Sequence, residues 1–249
     1  MMTVRKARAT DQTAHHVGKK ALLILLLPCL VLSIMTCSPR DTQRGTALYS
    51  ARIDFLDGEV TVNGKPATLR QSLEATDTIK TGPDSSTEIV FNTSNVIHLE
   101  ENSELKLSLL AANPAVELQS GALVAVLKRL KRLSKEEQQL ITVRAPTAVG
   151  SVRGTSFFVK VENADTTYVC TCNGHLHLTS IDQTFEQDIE AEHHSAYRFT
   201  RSGTNAIEVT RAGMEHHTDD AVEAVAEQIG IEIDWTRVDR ESVTVEDAQ

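Results

Sequence analysis

Short runs of β-branched and apolar residues, separated by turn dipeptides, fill most of residues 51–200. For example, Val60 and Val62 stand between an Asp-Gly pair at 57–58 and an Asn-Gly pair at 63–64. Alternation with a period of two is typical of a strand with one buried face, and these dipeptides are strong hairpin signals. Many short strands at regular spacing favour a sandwich, a barrel or a flattened β-roll over a helical fold. The sequence therefore predicts an all-β domain.

A glycine followed by alternating apolar residues recurs at 58–62, 121–126 and 174–178. Each copy has the composition of a strand that begins directly after a turn. Nothing in the pattern requires a repeat architecture. We interpret it as a hairpin feature that the three places share.

The segment 145–161 is the most regular part of the chain. Pro146 cannot donate a backbone hydrogen bond, so the segment enters from a turn, and Gly154 indicates a bend. Beyond that bend, one parity is occupied by Phe157, Val159 and Val161. Arg153 thus lies between two strand-like runs, where its five N–H donors suit turn carbonyls. The alternative role for Arg153 is a contact with a partner or an anion.

The N-terminal residues have the layout of an export signal. Residues 1–20 are basic, and residues 21–35 contain no charge. This apolar core is short for a membrane span, so a signal peptide at 1–36 is the preferred interpretation over an uncleaved anchor. The run before Cys37 resembles a lipoprotein signal, which predicts that Cys37 is lipidated. The protein is then expected in a bacterial cell envelope, lipid-anchored and either periplasmic or surface-exposed.

The remaining chain divides by composition into three parts. A polar tether covers 37–50, the β domain covers 51–203, and a C-terminal extension covers 204–249. The extension contains one short amphipathic helix, because acids follow Thr218 and Gly230 ends the apolar periodicity. A basic stretch and a capping box at 128–139 predict a surface helix or loop. The chain has 25 basic and 34 acidic residues, which argues against nucleic acid as a partner.

The segment 145–157, with Val-Arg-Gly-Thr at its centre, resembles the signature of the FecR-type domain, the periplasmic module of ferric-citrate signalling regulators. Residues 77–89, 102–107 and 118–123 are similar to earlier elements of the same family. The resemblance covers roughly residues 51–200. It implies an all-β domain, an elongated antiparallel double sheet or β-roll, with one or two short helices. It also implies a structural motif formed by Pro146, Arg153, Gly154 and Thr155.

Members of that family classically pass a signal from an outer-membrane transporter to a cytoplasmic sigma factor. That role requires a cytoplasmic N-terminal domain and a membrane span. Only 20 residues precede the apolar run of this chain. We therefore expect an exported FecR-type domain without the anti-sigma part.

Cysteine and histidine are concentrated in the window 170–217. It contains both cysteines that lie beyond the signal region and six of the nine histidines: Cys170, Cys172, His175, His177, His193, His194, His216 and His217. Thiolate and imidazole are ligands of zinc, copper and iron. The clustering therefore predicts a possible metal site.

Hairpin geometry suggests which residues could form this site. A two-residue turn at Asn173-Gly174 places Cys172 opposite His175 and Cys170 opposite His177, with all four side chains on one face. A flat face cannot easily supply a tetrahedron, so ligands from elsewhere should complete it. The candidate ligands are Cys170, Cys172, His175, His193, His194 and His217.

A disulfide or a pair of buried thiols is the alternative for the two cysteines. Residues two apart on a strand have Cα atoms roughly 6.5 Å apart and nearly parallel Cβ vectors. That geometry is close to the upper limit for a disulfide and poorly directed for one. A bridge between Cys170 and Cys172 therefore requires a distorted strand.

The sequence contains no nucleophile elbow, phosphate-binding glycine loop or His-Glu-x-x-His motif. We therefore expect no enzymatic activity, although a metal-dependent one stays open. The first hypothesis is a membrane-anchored module that binds an envelope protein or a glycan for scaffolding or sensing. The second is an exported metal-binding or redox protein that uses the Cys and His cluster.

Overall fold

The computed structural model describes residues 50–92, 95–110, 114–128, 141–203 and 206–238, without the side chain of Arg153. Within these ranges the chain forms fifteen strands and one helix: β1 (Ala51–Asp57), β2 (Val60–Val62), β3 (Lys65–Pro66), β4 (Ser72–Leu73), β5 (Thr78–Thr81), β6 (Ser86–Phe91), β7 (Asn95–Leu99), β8 (Glu104–Ser108), β9 (Ala115–Leu127), β10 (Ile141–Arg144), β11 (Ala148–Asn163), β12 (Thr166–Ser180), β13 (Glu186–Ala191), β14 (Ser195–Arg201), β15 (Ile207–Ala212) and α1 (Asp219–Glu227). The predicted all-β class is confirmed.

Several sequence predictions concern residues outside these ranges. They are the signal peptide at 1–36, the lipidation of Cys37, most of the polar tether, and the helix or loop in the basic stretch. Across the ranges that are described, no helix is long and apolar enough to cross a membrane.

The strands form one continuous hydrogen-bonded path in the order β15-β14-β12-β11-β10-β9-β7-β6-β1-β4, with β13, β2, β3, β5 and β8 attached beside it. Among the described strand pairs, only β9 and β10 run parallel, with Thr142 opposite Ala115. The antiparallel arrangement follows from the short turns, which return the chain directly beside the strand it has left. β15 extends the sheet by pairing with β14, so strand pairing continues into the segment that the sequence assigned to the C-terminal extension.

β9 is the strand on which the sheet is organised. Its first half, before Gly121, pairs with β8 on one edge and β10 on the other. Its second half pairs with β7 and β11. The 13 residues of β9 can pair with four strands because Gly121 adopts φ 79°, which lets the strand change direction at that point.

The second half of β9 is apolar on both faces. Leu123 and Ala125 belong to a first core enclosed by the strands, whereas Val124 and Val126 belong to a second core on the opposite face. Val222, Val225 and Ala226 of α1 pack into this second core. The continuous apolar run at 122–127 is therefore explained by burial on both faces.

The predicted C-terminal helix is confirmed as α1. Thr218 caps its N-terminus by accepting a hydrogen bond from the backbone N–H of Ala221 at 3.2 Å. Asp219 and Asp220 occupy the first turn, where the helix dipole favours negative charge. Gly230, at φ 66°, lies just past the helix end.

The recurring glycine motif has a common structure that the sequence did not disclose. All three glycines have positive φ, and the next residue donates its backbone N–H to a hydroxyl on a neighbouring strand or turn. The three donor and acceptor pairs are Glu59 to Ser85 at 2.8 Å, Ala122 to Ser103 at 2.9 Å, and His175 to Thr155 at 3.1 Å. At Gly58 and Gly121 a Cβ would collide with the hydroxyl, whereas at Gly174 it would make a tight contact with the Gly154 carbonyl and Thr155.

Candidate metal centre

Four of the predicted ligands meet beside the second core. Cys170 and Cys172 lie on β12, two residues apart, so strand alternation directs both toward the same face. His194 lies in the turn between β13 and β14, and His217 lies between β15 and α1. One donor atom from each of these residues falls within 4.8 Å of the others, and we call this set the Cys2His2 cluster.

Three of the six separations between the donor atoms of the cluster are equal. Cys170 Sγ lies 3.4 Å from His194 Nδ1, and Cys172 Sγ lies 3.4 Å from His217 Nε2. The two imidazole atoms, His217 Nε2 and His194 Nδ1, are also 3.4 Å apart. A zinc tetrahedron with bonds of ~2.3 Å to sulfur and ~2.0 Å to nitrogen has edges of roughly 3.5 Å between S and N and roughly 3.3 Å between N and N. The observed separations fit these edges.

The second nitrogen of each imidazole has an oxygen partner. His194 Nε2 lies 2.7 Å from Oδ1 of Asp219, and His217 Nδ1 lies 2.7 Å from the backbone carbonyl oxygen of Glu215. An N–H at each of these positions leaves the other nitrogen as an acceptor that faces the cluster. Metal-binding histidines characteristically have such outer partners.

A left-handed backbone brings His194 into the cluster. Its φ is 52°, and its backbone N–H donates to the carbonyl of Cys172 at 2.9 Å. Positive φ is uncommon for residues other than glycine, so the hydrogen bond helps to hold this conformation. His216, directly before His217, also has positive φ, at 68°.

Aromatic rings and apolar side chains enclose the cluster. Both cysteines are 0% exposed, and the His194 side chain is 8% exposed. Phe158 stacks on His217 with ring centroids 4.5 Å apart, and Trp235 stacks on His194 at 5.3 Å. The donor atoms are therefore shielded from water on several sides.

The electrostatics of the two thiols differ. Hydrogen bonding to Cys172, supported by His194 and His217, lowers the pKa of Cys170 to about 4 despite its burial. Burial raises the pKa of Cys172 well above its ordinary value, and the neighbouring Cys170 acts in the same direction. Although burial opposes it, interaction with Cys170 and Asp219 raises the pKa of His194. The arrangement therefore favours the thiolate form at Cys170 and the thiol form at Cys172.

The other two predicted ligands lie outside the cluster. His175 faces Glu190, with Nδ1 3.6 Å from Oε2, and His193 Nε2 lies 2.9 Å from Asp219 Oδ2. His193 can approach a cation only together with His194 and Asp219, in a second grouping that uses the same aspartate.

The predicted Asn173-Gly174 hairpin is wrong. β12 continues through both residues, with Asn173 opposite Ser156 and Gly174 opposite Thr155 on β11. Gly174 has φ 112°, and the pairing with β11 shifts register nearby. The Asn-Gly pair therefore forms a bulge within one strand.

The expected cross-strand pairs are consequently wrong as well. Cys170 lies opposite Phe158 and Ala196, whereas His177 lies opposite Ser151 and Asp188. Both cysteines are free thiols.

A third grouping, formed by Glu162, Glu215 and His216, has ligand-like spacing but already contains a cation. Arg198 donates to both carboxylate oxygens of Glu162 at 2.9 and 2.8 Å and to Glu215 at 2.7 Å. The guanidinium occupies the space where an ion would bind. This grouping is an ion-pair network.

The central motif has a structural role close to the cluster. The Thr155 hydroxyl bonds both backbone groups of His175 and so holds the bulge that follows Cys172. Gly154 has φ 65°, and the carbonyl of Pro146 accepts a hydrogen bond from Arg201 at 2.8 Å. Arg201 thus provides a carbonyl contact of the kind expected for Arg153, whose side chain lies outside the described part.

Sequence reasoning missed the residues around the ligands. The pattern identifies Asp219 only as one of the acids at the start of the predicted helix, and nothing in it indicates that Phe158 lies beside the ligands. Glu215 contacts His217 through its backbone carbonyl, and a backbone contact cannot be predicted from the pattern of side chains. The single tryptophan, Trp235, lies among charged C-terminal residues and packs back on His194.

The fold and the cluster together define an all-β module with a buried Cys and His centre. Residues 77–175 match the sequence model of a family described as FecR protein. Over this segment the chain is similar to the FecR family, and the resemblance derived from its motifs is confirmed there. Of the Cys2His2 cluster, Cys170 and Cys172 lie inside the matched segment, and the two histidines lie beyond it.

Two crystal structures are similar in fold, both of a putative anti-sigma factor from Parabacteroides distasonis. The first is 15% identical with a TM-score of 0.45, and the similarity covers 59% of this chain and 62% of the other, which is less than two thirds of that chain. The second is 12% identical with a TM-score of 0.44, covering 67% and 82%. No curated protein sequence matches this chain.

Proposed function

We propose that this chain is an extracytoplasmic FecR-type module that binds one metal ion at Cys170, Cys172, His194 and His217. The observation that supports this proposal is the convergence of four donor atoms within 4.8 Å, although the residues span positions 170 to 217. Buried thiols and imidazoles at these separations can all bind one cation at the same time. Under this proposal the ion supports binding and sensing rather than catalysis.

The proposed location is the cell envelope, with a lipid on Cys37 as the anchor and an envelope protein or glycan as the partner. The FecR match and the lipoprotein-like signal support this location. Globomycin, which blocks lipoprotein signal processing, should cause precursor to accumulate. An unchanged precursor pattern would count against lipidation.

Metal content tests the proposed function directly. The chain of 249 residues is expressed without a histidine tag, purified in detergent under reducing conditions, and measured by elemental and native mass spectrometry. We expect about one ion per chain in the wild type. Cys172→Ser should lose the ion, whereas His177→Ala should retain it, because His177 pairs with Asp188 on β13 instead.

Two outcomes would overturn the proposal. One is a wild-type chain without bound metal that also takes up none during titration. The other is equal metal loss in the Cys172 and His177 variants, which would place the ion elsewhere.

A sensing or scaffolding role is tested separately by chemical cross-linking in intact cells followed by isolation of the complex. An envelope protein or glycan recovered with the wild type, and reduced with the exposed-surface variant Phe55→Ser, would support a binding module. Recovery of no partner at physiological salt would argue against it.

A further inference from the structure

We infer that the ion is Zn²⁺ in a closed structural site. The ion fastens the C-terminal segment, residues 213–238, to the face of the sheet that carries the second core. This inference rests on the proposed function, because it requires that the cluster binds an ion. It adds the identity of the ion, the reason for its presence, and the part of the chain that depends on it.

The donor set selects zinc. Two thiolates and two imidazoles are a preferred donor set of structural zinc, and the three separations of 3.4 Å match edges of a zinc tetrahedron. Octahedral oxygen-binding ions such as Mg²⁺ and Ca²⁺ do not suit this set. Copper(II) prefers nitrogen and oxygen donors in a tetragonal arrangement, so the two thiolates disfavour it.

The site is closed. All four coordination positions of a tetrahedral ion are filled by protein, and the two cysteines are fully buried. Catalytic zinc sites instead keep one position for water or substrate. A closed site of this kind contributes folding free energy and no chemistry.

The ligands belong to two parts of the fold. Cys170, Cys172 and His194 come from β12 and the turn before β14, whereas His217 comes from the C-terminal segment. The segment makes two further contacts there, since Asp219 bonds His194 and Trp235 stacks on the same ring. The ion would therefore join the segment to the sheet at His217, just before the first residue of α1.

Glu215 and His216 hold the start of the segment to Arg198 and Glu162 on the sheet, but the helix that follows depends on docking for its stability. α1 has nine residues, which is below the length at which isolated helices are stable in water. It packs on the second core through Val222, Val225 and Ala226. Without an ion, its docking also brings thiol and imidazole groups together in a buried place, which opposes the gain from apolar packing.

Zinc release should therefore loosen the segment while the sheet remains folded. The sheet has its own first core, to which α1 contributes no residue, so the strands β2, β5 and β8, whose buried apolar residues lie only in that core, should be unaffected. The prediction is a local change confined to the residues around the ligands and the helix.

The experiment compares metal-free and zinc-loaded protein by hydrogen exchange, using the full chain in detergent under reducing conditions. Exchange at residues 215–237 should slow at least about tenfold on zinc loading, and exchange in β5 and β8, which do not pack against α1, should not change. Fluorescence of Trp235, the single tryptophan, should change over the same titration. Cobalt(II) should give the absorption of a tetrahedral site with thiolate charge transfer, and Zn²⁺ should displace it.

His217→Ala and His216→Ala form a matched pair of variants. His216 is adjacent but bonds Glu162 outside the cluster. Only the His217 variant should lose the tetrahedral cobalt spectrum and the zinc-induced protection of residues 215–237.

The outcomes separate the inference from the proposed function. If no ion binds, both fail. If an ion binds but protection at 215–237 is the same with and without it, the fastening role is wrong and metal binding stands. If cobalt gives an octahedral spectrum, or copper or iron is retained in preference to zinc, the closed zinc site is wrong.

Discussion

His194 and Asp219 are joined by a hydrogen bond of 2.7 Å between Nε2 and Oδ1, across the boundary between the sheet and α1. His194 presents its other nitrogen to Cys170 at 3.4 Å. Asp219 therefore fixes the orientation of a proposed ligand without touching the ion position. Its adjacent residue, Asp220, is an exposed acid in the same helical turn, and the two residues form a natural pair for comparison.

Asp219→Ala should weaken metal affinity about 10- to 100-fold, because the imidazole of His194 loses the partner that sets its tautomer and orientation. Competition with a chromophoric zinc chelator measures this change. Asp220→Ala removes a first-turn acid without touching His194, so it should have little effect on affinity. Equal affinities for the two variants would contradict the outer-partner role.

The ion pair between Glu162 and Arg198 should make stability depend on pH at the acid end. Hydrogen bonding to Arg198 lowers the pKa of Glu162 below its ordinary value. A lowered folded-state pKa contributes stability above the unfolded value, and this contribution is lost as the pH falls through the folded value. Glu162→Gln should therefore cost about 1 to 2 kcal/mol at neutral pH and much less near about pH 3.

Urea unfolding of both proteins at the two pH values provides the measurement. Glu208→Gln, which changes an exposed glutamate on β15, serves as the control and should be close to neutral throughout. A difference between wild type and Glu162→Gln that does not diminish in acid would refute the electrostatic origin.

Gly121→Ala should severely destabilise the sheet. A Cβ at this position would lie 2.5 Å from the Cα of Ser103, a backbone atom that cannot move away easily. Gly64 has a similar φ, 74°, but no atom lies within 4 Å of the corresponding position. We expect Gly64→Ala to cost about 1 kcal/mol from backbone strain and Gly121→Ala at least about 3 kcal/mol.

Thermal or urea unfolding of the two alanine variants separates the loss of stability caused by steric contact from the loss caused by positive φ. Similar decreases in the free energy of unfolding of both variants would mean that the positive φ alone causes the destabilisation. A tolerated Gly121→Ala would show that β8 and β9 are not held at this distance.

Thr155→Val should destabilise the chain by about 1 to 3 kcal/mol, because both backbone groups of His175 lose a buried partner. Thr155→Ser keeps the hydroxyl and should retain most of the stability. Chemical unfolding of the two variants compares them. A serine variant as unstable as the valine variant would assign the effect to the lost methyl group rather than the hydrogen bond.

Local patterns predicted much of the fold, since alternation and turn signals located most strands and capping signals located α1. The Asn173-Gly174 turn failed for a physical reason. A glycine with positive φ suits a hairpin and a bulge equally, and only the pairing of distant strands decides between them. Here the bulge is stabilised by the hydrogen bond from the His175 backbone N–H to the Thr155 hydroxyl on β11.

The candidate site was predicted in composition but not in arrangement. Four of the six proposed ligands converge, because clustering in sequence signals shared chemistry. The choice of His194 over His193 depends on a left-handed backbone held by the Cys172 carbonyl, which is a tertiary contact. The outer partners Asp219 and Glu215 could not be inferred, because the approach of the C-terminal segment to β12 is set by the whole fold.

The four partners of β9 limit how this protein could be divided or rearranged. β7 and β8 precede it in the chain, and β10 and β11 follow it, yet all four require its backbone for hydrogen bonding. A fragment cut on either side of residues 115–127 would expose an unsatisfied strand edge, which is a template for aggregation. The domain is therefore expected to be inherited, expressed and shuffled as one indivisible unit, with new segments tolerated only at its two ends and in its turns.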